Sequence, residues 1–181
     1  MIFLHHDVYM AVHFCTFGSL PNYRRSLMMI HKEAARSGYF SSVNIYTQDN
    51  VPSTEEEKEF MKANPRGYGY WVWKSTIILD QMEKRPENDF IVYADAGCGI
   101  RPGVKHTLDR WIHLTREHPT HRLAFQINTI EKEYTKDELF SFLNCDNEEM
   151  RNTCQYMGGV QIYQNTPENK EFLRKYKQIL S

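Results

Sequence analysis

The sequence predicts an α/β fold with a mostly parallel central sheet and helices on both faces. Three observations lead there. Short apolar runs suited to buried strands alternate with segments of helical period, the pattern of βαβ units. The run Phe90–Ala94, FIVYA, is mostly apolar, as expected of a central strand buried on both faces. Two such runs are followed by small residues, at Gly18-Ser19 and Ala96-Gly97. Ligands of open α/β sheets bind beyond the carboxyl ends of the strands, so Phe17-Gly18-Ser19 and Asp95-Ala96-Gly97 are expected at one edge.

Each element has its own signal. Residues 11–17, AVHFCTF, read as a strand closed by the Gly18-Ser19 turn. From Asn22 to Ser37, Tyr23, Leu27, Ile30 and Ala34 recur at helical spacing, and Gly38 stops the helix. VNIYT at 43–47 is a second strand. Ser53-Thr54 before three glutamates caps a helix over 53–62, with acids in its first turn. Ser75–Lys84 is helical until Pro86. After the strand Phe90–Ala94 comes a helix over Thr107–Glu117, with Leu108, Trp111 and Ile112 inward. Leu123–Ile127 and Val160–Tyr163 are further strands, separated by a helical piece at 136–143. The segment 167–180 sets Phe172, Leu173, Tyr176, Ile179 and Leu180 on one stripe. No repeat or low-complexity linker intervenes.

A chain of 181 residues is read as a single domain, 1–181, able to bury roughly 70% of its unfolded surface. With 41% apolar and 25% charged residues, it has the composition of a globular protein. Its formal net charge of −1 offers no basic footprint for nucleic acid. No apolar run approaches the ~20 residues of a membrane span. The start, MIFLHHDVYM, lacks the basic flank and long apolar core of a signal peptide, so a cytoplasmic location is expected. Cys15, Cys98, Cys145 and Cys154 form no C-x-x-C pair and are read as free thiols of a reducing compartment. His113, His118 and His121 fit no common zinc spacing and are read as surface residues.

Residues 66–80, RGYGYWVWKSTIILD, pose the sharper question. Two glycines, two tyrosines and two tryptophans precede Lys74, which is either a packing feature or the wall of a binding cleft. Residues two apart diverge on a helix or strand, so one tryptophan is expected inward and the other toward solvent or ligand. Gly67-Tyr68-Gly69 is not a dinucleotide fingerprint, because it lacks the third glycine and follows no strand. Asp95, leaving the apolar strand, suits a ribose hydroxyl or a metal ion, with Ala96 and Gly97 allowing close approach. An aspartate that merely starts a turn is the alternative.

Together, Val12–Ser19, Arg66–Ile78 and Phe90–Gly99 resemble nucleotide-sugar glycosyltransferases of the GT-A fold, a Rossmann-like architecture. The likeness is to a subgroup carrying R-G-x-G-Y-W-x-W-K followed by Y-x-D-A-G. It extends more weakly to Gln155–Ile162. The resemblance implies a UDP-sugar donor and a glycan or other hydroxyl acceptor. It implies a donor site at Thr16, Phe17, Gly18, Arg66, Tyr70, Trp71, Lys74, Tyr93, Asp95, Ala96 and Gly97. Arg66 would offer a planar fork and Lys74 a point charge, while the aromatic rings stack a sugar or base. Gln155, Gly158 and Gly159 would meet the acceptor, although a Gly-Gly pair before a strand is equally a turn.

The broader fold carries an Asp-x-Asp motif whose carboxylates hold a divalent cation. Asp95 matches the first carboxylate, but Gly97 stands at the second, so Mn²⁺ or Mg²⁺ at Asp95 stays an open expectation. Cys98 is a poor substitute, since a soft thiolate does not suit magnesium. The family continues to an H-R-x-D-Q-like segment. This chain reads Ile179-Leu180-Ser181 at its end, so the sequence is expected to be short or C-terminally incomplete. None of Asp146, Glu148 and Glu149 is marked as a general base, so catalytic residues and stereochemical outcome are unassigned. Two rival readings stand beside the transferase: a catalytically incomplete domain that binds nucleotide sugar or glycan, and a structural α/β interaction protein.

Overall fold

A computed structural model describes residues 10–180, with the Leu180 side chain outside the description. The segment 1–9, which carries most of the leader reading, and Ser181 lie outside the described residues. So does the place of Leu180 on the last helical stripe.

The architecture is the mixed α/β class expected. Five strands, β1 (Val12–Phe17), β2 (Ser42–Tyr46), β3 (Phe90–Ala94), β4 (Arg122–Ile130) and β5 (Cys154–Gln164), form one sheet in the order β2-β1-β3-β5-β4. β1 pairs in parallel with β2 and with β3. β5 runs antiparallel to both β3 and β4, so it alone is reversed. The reversal follows from the connection: β4 and β5 pair from Ile130–Cys154 onward as a wide hairpin, which needs no crossover helix. Both strands exceed the spans expected from sequence. Polar and apolar residues alternate along them, and one face is left partly open.

Alternation of side chains along the central strands feeds two cores. Cys15, Phe17, Ile91 and Tyr93 point to one face, where they meet α2 (Glu55–Ala63), α4 (Trp73–Glu83) and α8 (Pro167–Leu180). Phe14, Phe90, Val92 and Ala94 point to the other, against Ile30 and Ala34 of α1 (Arg24–Ser37) and Trp111 and Ile112 of α5 (Lys105–Glu117). β3 is buried at every position, as its composition demands.

Local signals explain the helix ends. Thr54 and Glu57 form a reciprocal capping box at the start of α2, the cap read from Ser53-Thr54. Gly38 closes α1 in the left-handed conformation at φ 63°. Tyr23, expected on the α1 stripe, instead precedes the helix and is half-exposed. On α8, Leu173 is buried, but Phe172 and Tyr176 lie outside the core, stacked on each other beneath Arg122. Between β4 and β5 stand a 3-10 turn and two short helices, α6 (Asp137–Phe142) and α7 (Glu148–Arg151), of which the second had no sequence signal.

All four cysteines are free. His113 and His118 are exposed, whereas His13 is buried and sits 3.0 Å from Asp89. Among the described residues no helix is long and apolar enough to cross a membrane.

The cores set an alkaline limit on stability. Burial, above all, raises the Tyr93 hydroxyl well above its usual value, and the neighbouring Asp95 carboxylate adds to it. Burial likewise raises Cys15, Tyr46 and Tyr163. Each raised group keeps its proton in the native chain after the unfolded chain has lost it, so stability falls as pH rises. The contribution is complete below the ordinary values of 9.0 for Cys15 and 10.0 for the tyrosines, and is lost above them. Urea midpoints measured across that window are expected to decline. A midpoint that holds steady up to strongly alkaline pH contradicts this burial.

Candidate functional site

The parallel ends of β1 and β3 open on one cleft of about 370 Å³. Phe17, Gly18 and Ser19 line it from β1, and Asp95, Ala96 and Gly97 from β3, so the two strand-end turns share an edge. The residues that close its third side come from the aromatic segment: Gly67, Tyr68, Trp71 and Trp73.

That segment is a single irregular turn, α3 (Gly67–Tyr70), with its backbone left-handed from Gly67 through Trp71. Five successive positive φ angles are strained for side-chain-bearing residues, and they hold only because the surroundings fix them. Gly69, at φ 81°, lies so close to α2 that an added Cβ would stand 2.9 Å from the Met61 Cα. At Gly67 the Trp71 ring covers the backbone, and a Cβ would fall 2.5 Å from it. Gly69→Ala is therefore expected to cost about 3 kcal/mol, combining left-handed strain with overpacking against backbone. A chemical denaturation curve within about 0.5 kcal/mol of wild type rules this out.

The two tryptophans divide as expected. Trp73 is buried, stacks on Phe17 at 4.0 Å between ring centres, and donates its indole N–H to the Gly67 carbonyl at 3.0 Å. Tyr68 continues the stack beyond Phe17 at 5.7 Å. Trp71 is 42% exposed and forms a wall of the cleft. The aromatic stretch is thus both packing and wall.

Asp95 is the sole carboxylate among the residues lining the cleft, and its surroundings are specific. Its Oδ1 accepts a hydrogen bond from the Tyr93 hydroxyl and lies 2.9 Å from the Lys74 Nζ. Lys74 also donates to the Gly158 carbonyl at 2.9 Å and is itself buried at 9% exposure. That carbonyl is available because the β4–β5 register shifts here: Ala124 faces Gln161, but Phe125 faces Met157. The Asp95 N–H donates to the Gly159 carbonyl at 2.8 Å. The second oxygen, Oδ2, has no hydrogen-bond partner among the described residues and is the free acceptor of the cleft.

The remaining sequence-predicted residues separate. Thr16 is fully buried beneath the cleft, its hydroxyl unpartnered among the described residues, so it does not face a ligand. Tyr93 is also fully buried, and reaches the cleft only through Asp95. Lys74 lies behind the cleft wall on α4 rather than on its surface. Arg66 and Tyr70 are exposed, but neither lines the cleft. Arg66 stands 6.0 Å over the Trp71 ring, and Tyr70 turns toward Phe60. The sequence reading missed Asn22, Tyr23, Pro65 and Tyr68 as lining residues. Tyr68 was within the quoted stretch, whereas Asn22 and Tyr23 read as ordinary helix start.

Gly158 lines a second, wider groove of about 600 Å³ with Leu123, Tyr156, Gln161 and Phe172. Gly159 sits between groove and cleft, where an added Cβ would stand 3.3 Å from Asp95 Oδ2. Gln155 lies further along β5 and lines neither. Neither glycine precedes the strand as a turn; both are inside β5.

The donor set does not fit a divalent cation. Among the described residues no three His, Cys, Asp or Glu side chains gather where they could hold one. Gly97 adds no ligand, and the Cys98 thiol is held above its usual value by burial and by Asp95, so it stays protonated. The Lys74 ammonium already occupies Oδ1. A divalent cation drawn to Asp95 would also meet the repulsion of that ammonium.

Neither protein-family models nor curated protein sequences give a match to this chain. Among solved structures, it is similar to a glycosyltransferase involved in the glycosylation of the major capsid of PBCV-1, with a TM-score of 0.51 and 14% identity. The match covers 94% of this chain and 65% of that one. At such identity the likeness is one of fold.

Proposed function

We propose that this chain is a glycosyltransferase that moves a hexose-type sugar from a nucleotide diphosphate, UDP in the first instance, to a hydroxyl of a glycan or other acceptor. The observation that carries the reading is the convergence of two strand ends and an aromatic wall on one cleft whose single carboxylate keeps an oxygen free. An exposed Trp71 face suits a sugar ring or base, and Asp95 Oδ2 suits a ribose or sugar hydroxyl. The wider groove beside Gly158 suits the acceptor, because Gly158 is joined through Lys74 to Asp95 and Gly159 approaches Asp95 Oδ2. The likeness in fold to a glycosyltransferase agrees with this. Free thiols agree with work on the cytoplasmic side.

A second reading has its own observation. Among the described residues, Asp95, tied to Lys74, is the only carboxylate lining the cleft, with no second one there to serve as a general base. This favours a domain that binds nucleotide sugar without transferring it. Release of UDP from UDP-sugars, followed with and without a hydroxyl acceptor, separates the two. The transferase reading expects slow release alone and faster release with a competent acceptor. Binding with no release under any condition supports the binding domain.

A further inference from the structure

We infer that the donor site works without a divalent cation, the Lys74 ammonium holding at Asp95 the positive charge that a metal would otherwise bring. The inference rests on the nucleotide-sugar reading and adds what neutralises the diphosphate there.

Four observations carry it. Lys74 Nζ is fixed at 2.9 Å from Asp95 Oδ1 and at 2.9 Å from the Gly158 carbonyl, so its place does not depend on a ligand. Its position is further defined by the Tyr93 ring at 5.2 Å and the Trp73 ring at 5.8 Å, both faces attractive to a cation. The Tyr93 hydroxyl also donates to Oδ1, so that oxygen is already engaged by two side chains. Gly97 leaves bare the position where a second carboxylate would complete a metal site, with open space around it.

The consequence is electrostatic. A carboxylate alone at the cleft would repel a diphosphate, and a divalent cation normally reverses that sign. Here the carboxylate is neutralised from behind by a resident ammonium on α4. A diphosphate then meets a site of no net charge with a cation at its back, while Oδ2 remains free for a hydroxyl. The Lys74 charge acts on phosphate and not on the base or ribose, so it is a positioning and charge-balancing residue for the diphosphate.

Titration calorimetry of UDP and of UMP, each with chelator and each with Mn²⁺, tests this on the unaltered chain. The expected result is a UDP affinity unchanged within about twofold by the cation, and a preference for UDP over UMP that persists in chelator. UDP binding that requires Mn²⁺ overturns the inference and leaves the donor-site reading standing. Binding of neither nucleotide under either condition overturns both. Lys74→Gln adds a readout that a merely structural role would not move. It is expected to reduce UDP affinity about tenfold, because the Asp95 charge is then no longer neutralised, with UMP affinity affected less. A Lys74→Gln chain that folds and keeps its UDP preference contradicts the role given to Lys74, and if it fails to fold the metal comparison on the unaltered chain decides.

Discussion

Asp95→Ala is expected to weaken UDP-sugar binding by about 10- to 100-fold, the range for hydrogen bonds to a charged group, and to remove measurable turnover. The effect has two sources. The free oxygen Oδ2 is lost as hydroxyl acceptor, and the buried Lys74 ammonium is left without the carboxylate that holds it in place. The second source also lowers stability. Breaking a fully buried pair costs about 3–5 kcal/mol, but the Asp95 side chain is 42% exposed, so about 1 kcal/mol is the reasonable expectation. Asp95→Asn separates the sources, because it keeps an acceptor at the site and removes the charge. Donor affinity unchanged in Asp95→Ala, measured on folded protein, removes Asp95 from the site.

Trp73→Ala has the largest expected effect on stability. The ring is 5% exposed, stacks on Phe17, touches Tyr93 and anchors the left-handed turn through the Gly67 carbonyl. Truncating a buried aromatic of this kind costs about 3–5 kcal/mol. For a domain of this size, that lowers the melting temperature by roughly 10 °C. Trp71→Ala makes the contrast, since its exposed ring is expected to change stability by less than about 1 kcal/mol while weakening donor binding. Calorimetric melting of both variants decides it. Equal losses in the two would mean that the tryptophans do not divide between core and cleft wall.

Much of this was legible in the sequence because it is local. The apolar run Phe90–Ala94 and the Thr54–Glu57 box each carry their signal within a few residues, and both took the expected form. The divergence of Trp71 and Trp73 was legible for the same reason. What was not legible is long-range. Lys74 looked like a ligand-facing charge because nothing near it in sequence shows that Gly158, 84 positions away, fixes its ammonium. Thr16 looked exposed because a strand end was read as the cleft surface, whereas its side chain is fully buried, turned to the face of the sheet opposite Phe17. Gly158 and Gly159 read equally as acceptor-facing positions or as a turn before a strand; they sit at a register shift within one, so the turn is excluded. The antiparallel course of β5 depends on a pairing with β4 that spans two helices and no sequence motif.

On the proposed function, a nucleotide sugar occupies the cleft at the ends of β1 and β3. Hydrogen–deuterium exchange with and without a UDP-sugar tests it most directly. Protection gathered in segments 17–23, 65–73 and 95–97 is the predicted result, since these line the cleft. Protection confined to the groove around 120–124 and 156–163, or none at saturating donor, would contradict it.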